Sequence, residues 1–176
     1  MTDLTMIIEL INYVFVLFFG VVVSLYLADI NFMDHKSLYI FTLLGFSAAQ
    51  CILYLLMGES LLYKSYPLLI HLPLILLIWL VFHRNFYVST IAVLSAYLLC
   101  TPRKWVGTLV AFFFHRNSLI ANATAICVTI PLLFLVVRYI APYIIRLKYE
   151  SKKTILLFFL LPLAYYILEY TFTVYT

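Results

Sequence analysis

Long apolar runs separated by short polar breaks form the pattern of this chain. Four runs, at residues 10–28, 38–57, 119–137 and 154–175, are close to the roughly 20 residues that cross a bilayer as a helix. Each is predicted to span a membrane. The alternating short strands of a membrane barrel are missing from the pattern, and in lipid only helices then satisfy their own backbone.

The middle of the chain follows a different pattern. Runs 68–82 and 86–100 are short for a full crossing, and the run at 105–114 is shorter still, which fits a re-entrant or interfacial segment. Before them, Gly58-Glu59-Ser60 breaks the second run and residues 61–66 read as an interfacial segment. Pro67 is predicted to restart a helix, since its missing N–H costs nothing in a first turn.

Composition gives the same class of protein. Hydrophobic residues make up 66% of the chain and charged residues 10%, against about 45–50% and about 25% in soluble domains. The sequence therefore predicts an all-α, polytopic transmembrane helical bundle. It forms one domain, 1–176, with five or six membrane helices, two of them short, plus the re-entrant or interfacial segment. We expect a multi-pass protein of the cell membrane whose first partner is the lipid bilayer.

Charge predicts the orientation of the bundle. The net charge of +4 is assigned to loop cations rather than to nucleic-acid binding. The densest basic loop, between the last two long runs, is predicted to be cytoplasmic. Counting back from it, both termini lie outside, Lys36 and Arg84 lie inside, and Lys64, Arg103 and Lys104 lie outside. Placing Arg103 and Lys104 outside breaks the positive-inside rule locally.

His71 and Pro73 are the leading candidates for contact with a signal. An ionisable group at membrane depth is a functional hypothesis by default, and Pro73 frees the carbonyl near residue 69 and can kink the helix. The alternative for His71 is a neutral imidazole hydrogen-bonded to a neighbouring helix. Pro131 and Pro162 are further predicted bend points.

Glu169 is the third candidate, because an ionised carboxylate facing lipid costs roughly 2 to 4 kcal/mol. We expect it to face inward, protonated or paired, with Arg138 as one candidate partner. Arg103, Lys104 and Trp105 together have the chemistry of an interfacial anchor, with peptide or anion recognition as the alternative. Asn122-Ala123-Thr124 matches a glycosylation sequon but lies inside an apolar run, so we interpret it as a chance match.

The chemistry of soluble enzymes is missing. The four glycines are scattered, and no HExxH, GxSxG or paired-carboxylate motif is present. The three cysteines match neither a zinc site nor a disulfide framework. No catalytic residue, metal or cofactor is therefore predicted.

Three stretches in the middle of the chain carry a resemblance. His71-Leu72-Pro73-Leu74, Leu94-Ser95-Ala96-Tyr97-Leu98-Leu99-Cys100 and Pro102-Arg103-Lys104-Trp105-Val106-Gly107 together resemble the N-terminal transmembrane sensor region of GHKL-type sensor histidine kinases of Gram-positive anaerobes. Leu99-Cys100-Thr101 departs from the Cys-Cys-Gln-like run expected there, and no phosphoacceptor or nucleotide-binding boxes follow. The resemblance implies that the complete protein continues through a further helix to a cytoplasmic kinase.

The resulting hypothesis is a membrane-embedded sensor module of a two-component system. It detects an extracellular or membrane-borne cue, a peptide or a small molecule, by rearranging its helices, and the resemblance implies a homodimer. One rival is a small transport subunit, such as the substrate-binding component of a vitamin-type importer, which needs a deep polar pocket. Another is a structural assembly subunit.

Overall fold

The fold is a bundle of helices joined by short loops. The computed structural model describes residues 3–174; it is 88% helical, and this part of the chain contains no strand. The elements are α1 (Asp3–Leu27), α2 (Lys36–Tyr66), α3 (Leu72–Leu80), α4 (Phe86–Phe112), α5 (Ser118–Leu135), α6 (Ala141–Arg146) and α7 (Lys152–Val174). The predicted all-α membrane bundle is confirmed; the predicted last run reaches Tyr175, which lies outside the described residues.

Four stretches within residues 3–174 are long and apolar enough to cross a membrane. They are Leu4–Leu27, Lys36–Gly58, Ser118–Tyr149 and Lys152–Phe172, and Lys64–Leu80 is a shorter apolar helix. These stretches match the four long runs and the first short run of the sequence. Their outward faces carry large apolar side chains, such as Phe41 and Leu55, which are 75% and 82% exposed. Such faces suit a hydrocarbon solvent.

The fourth run differs from its prediction. α4 is one continuous helix of 27 residues, about 40 Å long at 1.5 Å per residue. It begins where the Asn85 side chain accepts a hydrogen bond from the backbone N–H of Tyr87 at 2.9 Å. It then runs through Pro102, which neighbouring helices can support in a bundle. This corrects the expectation of a short span followed by a separate re-entrant or interfacial segment.

Two prolines are each preceded by a widened helical turn. Pro73 follows the π-helical turn Pro67–His71, and Pro142 follows a second one, Val136–Ile140. A proline cannot donate to the carbonyl four residues before it and its ring clashes with that carbonyl. The affected carbonyls belong to Leu69 and Arg138, the central residues of the two turns. The bend predicted near residue 69 thus takes the form of a π-turn.

The break at Gly58 is also found. Its backbone has φ 73° and ψ 170°, a left-handed value that interrupts α2, and glycine adopts it without a Cβ penalty. After the break, one face of the segment packs into the bundle, since Leu62 is 0% and Tyr66 7% exposed. Leu61 and Lys64 on the same segment are exposed.

α4 lies at the centre of the bundle and packs against α1, α3, α5 and α7. Its contact with α5 is very close at Gly107: a Cβ built on this residue would lie 2.5 Å from the carbonyl oxygen of Ala121 and 3.3 Å from the Ala125 Cβ. Small residues at helix interfaces permit such contacts in membranes. The α4–α5 pair therefore depends on the absence of a side chain at Gly107.

At one end of the bundle, the carboxylate of Asp29 contacts two basic side chains from other loops. Asp29, after α1, forms a salt bridge with Lys148, and its carboxylate lies 3.9 Å from the Arg84 guanidinium. Arg84 also donates to the Asp29 backbone carbonyl at 2.5 Å. These contacts join the loops after α1, α3 and α6. We call this the basic end, defined by Asp29, Lys36, Arg84, Arg146, Lys148, Lys152 and Lys153.

We expect Gly107→Ala to lower the free energy of unfolding by about 1–3 kcal/mol, because the new methyl group overpacks the α4–α5 contact. Gly45→Ala is the matched control. No atom lies within 4 Å of a Cβ at Gly45, so this variant should be unchanged or gain up to about 1 kcal/mol of helix stability. Equilibrium unfolding in mild detergent measures both, and equal stability of the two variants would contradict the contact.

Candidate binding cavity

A cavity of about 810 Å³ lies between α1, the π-turn Pro67–His71, α3, α4, α5 and α7. This volume is within the range of about 300–1,000 Å³ that small-molecule sites occupy. Its α1 wall extends from Asn12 to Ser24, about 18 Å along the helix axis. Lys64 and Lys104, both exposed, also line it, so the cavity reaches the surface at the end opposite the basic end.

Aromatic side chains form one wall. His71 lies at the centre of a tyrosine cluster, with ring centroids 5.1 Å from Tyr66, 5.2 Å from Tyr97 and 5.4 Å from Tyr166. Tyr170 joins the cluster at 5.0 Å from Tyr166. The contacts of His71 are edge-on, the geometry that aromatic quadrupoles favour. The tyrosine cluster is defined by Tyr66, His71, Tyr97, Tyr166 and Tyr170.

His71 forms the hydrogen bond to a neighbouring helix that was the alternative considered from the sequence, and it also lies at the cavity; contact with a signal stays a prediction. Its Nδ1 lies 2.7 Å from the Tyr166 hydroxyl on α7, so it is hydrogen-bonded to a neighbouring helix. The same side chain, 8% exposed, lines the cavity. Pro73 is half-buried and does not line it. Pro73 is connected to the cavity wall through the π-turn, whose last residue is His71.

A second wall is polar and contains a buried cation. Arg103 is 2% exposed, and its Nη2 donates to the Oδ1 of Asn12 on α1. Asn12 Nδ2 donates in turn to Asn122 Oδ1 on α5 at 2.7 Å, and Arg103 Nη1 lies 4.0 Å from Cys100 Sγ. The chain Arg103–Asn12–Asn122 thus connects three helices. In lipid such bonds hold helices together.

The structure changes the position expected for Arg103. As an interfacial anchor its guanidinium would meet lipid headgroups, but the side chain points into the bundle. The reason is the continuity of α4, where Arg103 shares a face with the buried residues Gly107 and Ala111 at spacings of four. Lys104 and Trp105 turn outward and are exposed. Their anchor role stays a prediction.

Glu169 faces inward as expected and lines the cavity from α7. Its carboxylate interacts with the hydroxyl of Tyr165, which also lies 3.4 Å from Thr101 Oγ1 on α4. Arg138, the partner considered from the sequence, is exposed and does not line the cavity. The buried cation that shares the cavity with Glu169 is Arg103.

Sequence reasoning missed two residues of the site. Asn12 was passed over inside the first apolar run, and Asn122 was interpreted as part of a chance sequon. The available signal was a lone amide in an apolar helix, which needs a partner when it is buried. Gln50 on α2 is a further amide inside an apolar run, and it does have such a partner. Gln50 is buried and accepts from the Tyr66 hydroxyl at 3.1 Å.

Among residues 3–174 no group of three His, Cys, Asp or Glu side chains is placed to hold a metal ion. Comparisons with protein-family models, with curated proteins and with solved structures found no match. The fold and the cavity define the class: a polytopic α-helical membrane protein with an intramembrane cavity.

We expect Asn12→Ala to lower the free energy of unfolding by about 1–3 kcal/mol, because it removes the best acceptor of a buried guanidinium. In an Arg103→Met background the same substitution should cost less, since no buried charge is then left without an acceptor. Asn31→Ala, at an exposed turn, is the control and should stay within about 0.5 kcal/mol of the parent. If Asn12→Ala lowered the free energy of unfolding equally in both backgrounds, Asn12 and Arg103 would not be energetically coupled.

Proposed function

We propose that this chain is the membrane-embedded sensor module of a two-component signal-transduction histidine kinase of the GHKL type. The observation that carries the proposal is the position of His71. It lines the cavity and ends the π-turn Pro67–His71. A cue in the cavity would therefore touch a part of the bundle with irregular helical geometry.

The coupling follows from the energetics of two states. A ligand shifts an equilibrium only by the difference in its affinity for the two conformations. A π-turn and a regular α-turn differ in how far they rotate the residues that follow. A ligand that contacts His71 and prefers one turn would thus rotate α3, and the change would pass to α4, which packs against it.

The charge distribution supports the direction of sensing. The basic end holds six of the cations of the chain, at Lys36, Arg84, Arg146, Lys148, Lys152 and Lys153. By the positive-inside rule this end faces the cytoplasm, so the mouth of the cavity faces outward. Arg103, which seemed to break the rule, is buried in the bundle and is not a loop charge. A homodimer remains part of the proposal through the resemblance.

A transport subunit is the second candidate, favoured by the depth of the cavity. A substrate-binding component of a vitamin-type importer needs a deep polar pocket within about six helices, and this bundle contains a deep cavity with one polar wall. Affinity purification from native membranes separates the two candidates. Recovery of a histidine kinase, or a kinase on the same reading frame, supports the sensor, and recovery of an ATP-driven coupling complex supports the transporter.

We expect Pro73→Ala to abolish the response of the π-turn to the cue, because a regular turn then replaces it. The protein in nanodiscs would be exposed to size fractions of medium conditioned by the organism that carries it. Hydrogen exchange measured by mass spectrometry should change at residues 67–80 in the parent and stay constant in Pro73→Ala and His71→Ala.

Pro142→Ala is the matched control, since Pro142 follows the second π-turn and does not line the cavity. It should alter exchange around residues 136–146 and leave the response at residues 67–80 intact. A Pro73→Ala protein that responds like the parent would refute the coupling. A parent that responds to no fraction would refute the sensor role.

A further inference from the structure

Arg103 is a buried cation with incomplete hydrogen bonding. A guanidinium carries five N–H donors. Here Asn12 accepts one and the Cys100 sulfur, a weak acceptor, lies 4.0 Å from Nη1. The Nε atom is buried and has no acceptor in the structure. Burying an unpaired charge costs several kcal/mol, so this position calls for a counter-charge.

The described part of the protein does not supply that counter-charge. None of the ion pairs among the described side chains includes Arg103. Glu169 lines the same cavity, but its carboxylate interacts with Tyr165. The space beside Arg103 is the cavity itself. A group that entered from outside could therefore complete the bonding of the guanidinium.

The described lining of the cavity carries more cations than carboxylates. Its described lining contains Lys64, Lys104 and Arg103 against the single carboxylate of Glu169. Clefts lined by one sign of charge concentrate ions of the opposite sign and raise association rates by about 10- to 1,000-fold. The two exposed lysines would draw an anion in, and the buried arginine would hold it by paired hydrogen bonds to its oxygens.

The opposite wall suits an apolar or aromatic body. Tyr66, Tyr97 and Tyr170 line the cavity beside His71, and their rings offer broad faces with hydroxyl groups at the edge. Aromatic walls bind planar groups by offset or edge-on packing. The cavity thus has a charged pole at Arg103 and an aromatic pole at the tyrosine cluster.

We propose that the cavity binds a small organic anion, with a carboxylate or similar oxyanion at Arg103 and an apolar or aromatic body against the tyrosine cluster. This inference rests on the proposed function and names the chemical class of its ligand. It also selects anion recognition, the alternative interpretation of the Arg103 region, and moves it from the membrane surface into the bundle.

Cys100 provides a probe inside the site, because it lines the cavity next to Arg103. In a Cys51→Ser/Cys127→Ser protein in phosphatidylcholine nanodiscs, its thiolate would be modified by two methanethiosulfonates. One carries a sulfonate and the other a trimethylammonium group. The rate constant for the anionic reagent is divided by that for the cationic reagent, and this ratio is divided by the same ratio for mercaptoethanol in solution. The result does not depend on the intrinsic reactivity of the thiol and measures the charge preference of the site. We expect about a tenfold preference for the anionic reagent.

Arg103→Gln should bring this ratio to within twofold of the value for the free thiol. Arg116→Gln is the matched control: it removes a cation that follows the same helix, is exposed and does not line the cavity. Its ratio should equal that of the parent. A parent that reacts faster with the cationic reagent, an unchanged ratio in Arg103→Gln, or no reaction of Cys100 with either reagent would overturn the proposal.

A third measurement separates a soluble anion from a lipid headgroup. Benzoate should slow modification of Cys100 by neutral methyl methanethiosulfonate, whereas benzamide, its uncharged analogue, should not. Protection by phosphatidylglycerol in the nanodisc without protection by benzoate would assign the site to lipid and overturn the soluble ligand. These results are independent of the hydrogen-exchange test at residues 67–80. If the cue that changes exchange there proved to be uncharged, the proposed ligand class would be refuted while the sensor role would stand.

Discussion

The fold depends on how a polypeptide in hydrocarbon provides hydrogen-bond partners for its polar groups. Water is absent around most of the helices, so amides, hydroxyls and charges must find partners within the bundle. The chain Arg103–Asn12–Asn122 is the principal result of this constraint, since it ties α4 to α1 and α5. His71 and Tyr166 tie the π-turn to α7 in the same way. The cavity lies among these inward-facing polar groups.

The constraint also explains why binding and stability compete at this site. A bundle optimised only for stability would fill the space beside Arg103 with apolar side chains, since replacing a buried charge in this way is often stabilising. Functional sites commonly retain such unfavourable groups. The buried guanidinium, the inward carboxylate of Glu169 and the volume of the cavity are all features that packing alone does not require.

Hydropathy was sufficient to predict the class of fold and most helix positions, because span length and apolar character are local properties. It failed at α4, where residues 86–100 and 105–114 were separated by Pro102-Arg103-Lys104. Three polar or helix-breaking residues in a row resemble a loop when their burial is unknown. The direction of each side chain was decisive: Arg103 turns inward and its neighbour Lys104 turns outward. That direction follows from the register of a helix whose continuity the local sequence conceals.

The candidate site was predictable only in part, for a related reason. His71 and Glu169 were noticed because ionisable residues are rare at membrane depth. Asn12 was not noticed and Asn122 was interpreted as part of a chance sequon, since a single amide within an apolar run does not prevent the run from being predicted as a membrane helix. Their importance arises from an encounter between residues 110 positions apart. Pro142 likewise matters through the π-turn before it, and composition gives no sign of this.

The contact between Gly107 and Ala121 limits how the protein can move. At Gly107 the backbones of α4 and α5 meet with no side chain of Gly107 between them, so sliding of one helix along the other would bring a larger residue into this close contact. One side of the cavity, including Arg103 and Asn122, lies on these two helices. Tyr166 and Tyr170 lie on α7 and Tyr97 lies on α4, so a movement of α7 relative to the α4–α5 pair would change the distance between Arg103 and part of the tyrosine cluster.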